Sequence, residues 1–443
     1  MNIFALSTGK GPSGIAILRL SGKDSLQISK LITNKNEIKS KEVNLCKFYD
    51  PSNGKIIDEG LLLWSPGPNS YTGEDLAEFH THGSNAVVSN FLRVLGNQEN
   101  CRLAEPGEFT KLAFQNNKID LIKAESIGDL INAETELQRQ QAIKLIQGNA
   151  SNHYNSLREK LVKSLSYIEA KIDFAEEDLP ENVLKEVQIS IKQVYKDIKQ
   201  ILEDQKIGEK IRNGFRISII GDVNAGKSSL LNLLSKREAA IVSEQEGTTR
   251  DVIETYLNID GYPVILADTA GIRKVKNKVE KEGIKRAIKK AKNADLTLVM
   301  IDASKKTINK DLKKLINEDC ILVFNKSDLS KKTPKNEFKK NDQILISVKK
   351  NKNIGSLIKS IKVKLSKKFM KSNNILITRE RHRAKLNAAL KEIEKFLKKD
   401  QKKEIETAAE DLRLATRHLG GIVGKVDIEE ILGSIFQDFC IGK

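Results

Sequence analysis

Arg216-Ile217-Ser218-Ile219-Ile220-Gly221-Asp222-Val223-Asn224-Ala225-Gly226-Lys227-Ser228 is the stretch on which the architecture of this chain turns. An isoleucine-rich run reads as a buried strand, and it passes directly into Gly-x-x-x-x-Gly-Lys-Ser. In that pattern the loop N–H groups and the helix N-terminus behind them cradle phosphates, Lys227 reaches the β/γ-phosphates, and the Ser228 hydroxyl ligates Mg²⁺.

Working outward, further apolar runs follow at Val264–Ala267, Leu296–Ile301, Ile321–Phe324 and Ile344–Ile346, with helical segments between them. Near-continuous apolar strands alternating with helices predict a mostly parallel, doubly wound sheet. On both sides the texture becomes helical. From about 118 to 212 glycine and proline nearly vanish, and Leu157, Leu161, Leu165 and Ile168 form one apolar stripe, with Pro180 breaking the stretch in two. After about 375 the helical texture returns. The simplest inference is an α/β unit inserted into a discontinuous helical domain, with two separate helical modules as the alternative. Residues 1–117 mix short apolar runs with turn clusters such as Ser65-Pro66-Gly67-Pro68-Asn69-Ser70, which predicts an α+β domain. The expected divisions are therefore 1–117, 118–212, 213–372 and 373–443.

Three more elements arrive in order. Asp268-Thr269-Ala270-Gly271 ends one strand, where the aspartate can hold Mg²⁺ through water and the glycine N–H can meet a γ-phosphate. Asn325-Lys326-Ser327-Asp328 ends another, and the Asp328 carboxylate can accept guanine N1–H and N2–H together, a pattern adenine does not offer. Ser347-Val348-Lys349 resembles the fifth element of GTPases, whose backbone touches guanine O6. Four elements in register, each at a strand's C-terminal end, predict GTP rather than ATP.

Ile272 stands where Ras-like enzymes place the glutamine that orients water, so another group must do that work. A carboxylate further along the second switch and a cation beside the phosphates are the candidates. Ser243-Glu244-Gln245-Glu246-Gly247-Thr248-Thr249 offers a threonine for Mg²⁺ and carbonyls for a monovalent ion, to which Asn224 can add a side-chain oxygen.

The bulk composition is permissive. The 443 residues are 39% hydrophobic and 30% charged, values of a globular protein with several domains. No apolar run approaches the ~20 residues of a membrane span, and the first residues lack the look of a leader, so a cytoplasmic, bacterial protein with no membrane association is expected. Four dispersed cysteines (Cys46, Cys101, Cys320, Cys440) argue against structural zinc. His80 and His82 share a strand face, but no third ligand is evident. The net charge of +17 fits an RNA partner, and equally a proteome-wide lysine bias.

Asn224-Ala225-Gly226-Lys227-Ser228-Ser229-Leu230-Leu231-Asn232, Gly247-Thr248-Thr249-Arg250-Asp251 and Asp268-Thr269-Ala270-Gly271-Ile272-Arg273 together resemble the bacterial GTPases in which a hydrophobic residue replaces the catalytic glutamine, among them Era, Der and MnmE (TrmE). The flanks select among these. Gly14-Ile15-Ala16-Ile17-Leu18-Arg19-Leu20-Ser21-Gly22, Pro66-Gly67-Pro68-Asn69-Ser70-Tyr71-Thr72-Gly73-Glu74-Asp75, Ala104-Glu105-Pro106-Gly107-Glu108-Phe109-Thr110 and Phe439-Cys440-Ile441-Gly442-Lys443 are similar to the MnmE family over essentially the whole chain.

The resemblance implies a multidomain α/β protein. Its parts would be an N-terminal α+β folate-binding domain that dimerises, a discontinuous helical domain, and an inserted Ras-like P-loop GTPase domain stimulated by K⁺-dependent dimerisation. It implies a homodimer that works with the flavoprotein MnmG, two copies of each, with FAD only in that partner. Together they add an aminomethyl or carboxymethylaminomethyl group to C5 of the wobble uridine of certain tRNAs, using a methylene-tetrahydrofolate carbon.

By the same resemblance Asn224, Ser243, Gln245 and Thr248 correspond to the K⁺ site, and Ser228 and Thr249 to the Mg²⁺ ligands. Glu280 corresponds to the residue that orients water through a bridging water, although by itself it reads as a solvated glutamate at a helix start. Arg19, Glu78, Lys118 and Lys443 correspond to the positions that contact a 5-formyl- or methylene-tetrahydrofolate. Cys440 has two readings, a functional thiol beside the folate carbon and a small buried apolar residue. Asp222-Val223 departs from the usual Arg-Pro, and Val348 from Ala; these positions are expected to act through backbone alone. The rival function is a nucleotide-switched ribosome-assembly protein of the Era/Der type, disfavoured by the lack of a KH-type Gly-x-x-Gly module.

Overall fold

The computed structural model describes residues 1–174, 183–237, 240–241, 254–267, 294–305, 307–330, 338–369, 375–400 and 403–426, with 435, 439 and 442. The chain divides into two compact units, one of 1–128, 145–191 and 391–443, the other of 129–144 and 192–390.

The first unit contains a six-stranded sheet of β1 (Asn2–Leu6), β2 (Ser13–Ser21), β3 (Val43–Tyr49), β4 (Ile56–Ser65), β5 (Leu76–Gly83) and β6 (Cys101–Leu103), in the order β3-β4-β5-β2-β1-β6. Only the β1–β6 pair is parallel. Side chains alternate between faces. Leu18, Leu20, Leu62 and Phe79 point to one core, shared with the helices Ser25–Thr33 and Asn85–Gly96, where Phe48, Phe79 and Phe91 pack ring to ring with centroids 5.0–5.8 Å apart. Residues between them, including Arg19 and Glu78, face the other way.

The helix Asn149–Asp173 buries Tyr154, Leu157, Leu161 and Ile168 and packs along Ile405–Val423, which buries Leu412, Ala415 and Leu419. Leu165 of the expected stripe is only half-buried. Arg413 donates to Glu169 at 2.9 Å across this pair. Helices that lie before and after the α/β unit in sequence are thus packed against each other; Pro180 lies outside the described residues.

The second unit holds a seven-stranded sheet of β7 (Phe215–Gly221), β8 (Ala240–Ile241), β9 (Glu254–Ile259), β10 (Tyr262–Ala267), β11 (Leu296–Asp302), β12 (Cys320–Asn325) and β13 (Asp342–Leu345), in the order β13-β12-β11-β7-β10-β9-β8. The run β13-β12-β11-β7-β10 is parallel, and β9 and β8 complete it in antiparallel fashion. Every residue of β11 and β12 is buried, because both faces of the sheet are covered. Ile217, Ile219, Leu298, Met300, Ile321 and Val323 pack with the helices Lys227–Arg237 and Ile354–Phe369; Ile220, Val299, Ile301, Leu322 and Phe324 form a second core.

The sequence reading missed the β9–β10 hairpin. Its signal was Asp260-Gly261, both at positive φ (49° and 91°), the two-residue turn that suits an antiparallel pair.

Candidate functional site

The parallel strands β7, β11, β12 and β13 end at the same edge of the sheet, β11 lying between β7 and β12, and the loops leaving β7, β12 and β13 carry three of the sequence motifs. After β7 the chain turns through residues 222–226 into the helix beginning at Lys227. Gly226 has φ +98°, and a Cβ there would run into the Asn325 amide, so the position needs glycine on both counts. Asn224 also takes a left-handed conformation, φ +63°, which asparagine tolerates, and stands exposed at the crest of the loop. Ser228 and Ser229 are exposed on the first helical turn. Lys227 Nζ donates to the carbonyls of Gly221 at 2.9 Å and Asp222 at 2.8 Å. Burial pushes its ammonium below the ordinary lysine value, against a smaller upward pull from Asp222.

Asn325 ties the loops together. Its Nδ2 donates to the Ala225 carbonyl at 2.9 Å, and its Oδ1 accepts from the Val348 N–H at 3.1 Å. The phosphate loop, the Asn325-Lys326-Ser327-Asp328 loop and the Ser347-Val348-Lys349 loop are therefore joined through one side chain. The Ser347 hydroxyl donates to Asp328 Oδ1 at 2.6 Å and holds that carboxyl below its usual range. An ionised Asp328 is an acceptor only, as recognition of the guanine N1–H and N2–H edge requires.

Two features escaped the sequence reading. Asp302, at the end of β11, accepts from Lys326 Nζ at 2.6 Å and from the Ser304 hydroxyl at 2.7 Å. Burial raises its carboxyl, but these bonds outweigh it and lower it overall. Asp222 was expected to act through backbone, yet its carboxylate accepts from Lys305 Nζ at 2.9 Å and Asn309 Nδ2 at 3.1 Å. A strand-terminal aspartate was the available signal for Asp302; nothing local announced the partners of Asp222.

In the first unit Arg19 and Glu78 stand opposite each other on β2 and β5, and Arg19 Nε donates to Glu78 Oε1 at 2.7 Å. The Arg19 guanidinium lies 5.6 Å from the centre of the Tyr71 ring. Lys118 Nζ donates to the Pro68 carbonyl at 2.7 Å, and Asn116 Nδ2 to the Thr72 carbonyl at 2.8 Å, so the 66–75 loop is drawn over this side of the sheet. Gly442 reaches the end of β1, where its carbonyl accepts from the Ser7 hydroxyl at 2.8 Å. Ala5 of β1 is in register with Arg19, so Gly442 lies at the same end of the sheet as that arginine.

Ser243, Glu244, Gln245, Glu246, Gly247, Thr248, Thr249, Asp268, Thr269, Ala270, Gly271, Glu280, Cys440 and Lys443 lie outside the described residues. Of the histidine pair, His82 Nδ1 meets Asp58 at 2.9 Å, and among the described residues no three potential ligands converge as a metal site. No helix among those residues is long and apolar enough to cross a membrane.

Two family models match the chain: GTP-binding protein TrmE N-terminus over residues 2–118, and MnmE helical domain over residues 121–440. A protein of Pelagibacter ubique (strain HTCC1062) named tRNA modification GTPase MnmE is 59% identical over 443 residues, 100% of both chains. Proteins of the same name from Rickettsia bellii (strain RML369-C) and Rickettsia akari (strain Hartford) are 45% and 43% identical, each over 100% of this chain and 99% of theirs.

Proposed function

The chain belongs to the MnmE (TrmE) family of tRNA modification GTPases, and on that premise we propose that it spends GTP hydrolysis on changing the wobble uridine of certain tRNAs. The observation that carries the nucleotide half of this reading is the Asn325 bridge. It sets the phosphate loop against the two loops that recognise guanine, with Asp328 held ionised by Ser347. GTP rather than ATP follows from that carboxylate.

Mg²⁺ would be held by Ser228 and Thr249 and would neutralise charge on the β/γ-phosphates. Ser228 suits this role because it stands exposed at the first turn of the helix. K⁺ would be held by Asn224, Ser243, Gln245 and Thr248; the exposed, left-handed Asn224 is the described residue that supports this. Glu280 takes the place of the glutamine missing at Ile272 and orients water, and GTPase domains of two copies associate when the cation is bound. In the first unit, Arg19, Glu78, Lys118 and Lys443 would bind a tetrahydrofolate. A guanidinium oriented by a carboxylate and resting on an aromatic ring is a ready partner for a glutamyl carboxylate or a pterin carbonyl. The one-carbon unit would pass to the uridine C5 in a cytoplasmic complex of two copies of this chain and two of MnmG, whose flavin supplies the redox chemistry.

Mass analysis of tRNA nucleosides from a strain lacking this gene tests the proposal. Loss of the C5 modification at the wobble uridine is expected; wobble uridines unchanged by the deletion would refute it and favour the ribosome-assembly reading. Calorimetry with 5-formyl-tetrahydrofolate tests the second site, where Arg19→Ala is expected to weaken binding.

A further inference from the structure

Three contacts converge on Asp222. Its carboxylate takes Lys305 Nζ at 2.9 Å and Asn309 Nδ2 at 3.1 Å, and its carbonyl takes Lys227 Nζ at 2.8 Å. Asn309 is not free to turn away, because its own Oδ1 caps a short helix by accepting from the Asp311 N–H at 2.9 Å. Both partners belong to the loop that leaves β11. That loop begins at Asp302, which holds Lys326 at 2.6 Å. One connection therefore grips the phosphate loop through Asp222 and the guanine loop through Lys326.

We propose that Asp222, braced by Lys305 and Asn309, is a positioning residue that sets how tightly the phosphate loop holds a guanine nucleotide. The brace fixes the first turn of the loop, so that its N–H groups are already arranged to receive phosphate. This rests on the reading of residues 221–228 as the phosphate loop. The charges give the brace a signature that a purely structural contact lacks. A carboxylate within a phosphate-binding loop repels the anion, and the Lys305 ammonium, at contact distance, cancels that repulsion. Removing Lys305 alone exposes the repulsion; removing both charges does not.

The test is a double-mutant cycle on the full-length protein, read as GDP affinity and GDP dissociation rate with a fluorescent analogue, and as kcat and KM for GTP. Asp222→Ala is expected to weaken GDP binding about two- to fivefold, the range of a partly exposed ion pair. Lys305→Ala is expected to weaken it about tenfold, with the deficit shrinking as salt is raised. The double variant should bind better than Lys305→Ala alone rather than show the product of the two effects, and in all three variants KM for GTP should rise more than kcat falls. Wild-type affinity in Asp222→Ala, or single effects that multiply in the double variant, would overturn the brace. If thermal unfolding shows that Asp222→Ala does not fold, Lys305→Ala and Asn309→Ala decide in its place: weaker binding that is salt-sensitive only in Lys305→Ala supports the brace, and unchanged binding in both overturns it. A wild-type protein that binds no guanine nucleotide would overturn the site reading itself, and the brace with it.

Discussion

Replacing Asn325 with alanine removes a side chain that joins three loops of the proposed nucleotide site, and the loss can be worked from its two hydrogen bonds. The Ala225 carbonyl, which accepts from Nδ2 at 2.9 Å, belongs to a fully buried residue. Left unpaired, such a group costs about 1–3 kcal/mol. The Val348 N–H, 3.1 Å from Oδ1, belongs to a half-buried residue that water can reach, so its loss is about 0.5–1.5 kcal/mol. The sum is about 1.5–4.5 kcal/mol. Without nucleotide the loops can shift until water takes both groups. With nucleotide bound they cannot, so the loss falls on affinity. At about 1.4 kcal/mol per tenfold, GDP should bind between about tenfold and a thousandfold more weakly. The assay is displacement of a fluorescent GDP analogue, alongside thermal unfolding with and without saturating GDP. The unfolding midpoint of the nucleotide-free protein should move little, while the upward shift produced by GDP shrinks. Less than about a threefold change in affinity, with the GDP-induced shift intact, would refute this account of Asn325.

Arg383 donates Nε and Nη2 to Glu209 at 2.9 and 2.6 Å and Nη2 to Asp204 at 2.7 Å, with Arg383 and Glu209 side chains each 9% exposed. Arg383→Ala leaves a buried carboxylate unpaired and should destabilise the second unit by about 3–5 kcal/mol in denaturant unfolding. Phe79→Ala empties the centre of a fully buried aromatic trio and should cost the first unit about 3–5 kcal/mol in the same measurement. Asp302 is lowered from 3.8 on folding, so its contribution is complete above that value and is lost as pH falls through its lower folded value. Acid unfolding of Asp302→Asn should therefore show a shallower pH dependence than wild type in that window, with the two curves parallel above it. Hydrolysis should be much faster in K⁺ than in Na⁺ and strongly slowed by Glu280→Ala; equal rates in the two salts would remove the cation from the mechanism, and normal turnover of the variant would remove the carboxylate.

Sequence alone determined what is local. The strand, the Gly-x-x-x-x-Gly-Lys-Ser turn and the following helix can be read between residues 216 and 237, because apolar period, positive φ at Gly226 and helix onset are properties of a few neighbouring residues. The ends of β10, β12 and β13 were legible for the same reason, and they carried the inference to guanine. The Asp260-Gly261 hairpin was equally local and was overlooked. The tertiary structure decided which distant groups meet. Asn325 reaches Ala225 across 100 residues, and Asp302 reaches Lys326 because β11 and β12 are parallel neighbours with Asp302 and Asn325 in register. Arg19 faces Glu78 because β2 and β5 pair antiparallel with that alignment. A one-residue slip in any of these registers would send the same side chains to opposite faces, and no local pattern records the register between segments so far apart in the chain. Asp222 shows the limit most plainly: its neighbours in sequence suggest a backbone role, and only the crossover that brings β11 beside β7 supplies Lys305 and Asn309 to its carboxylate.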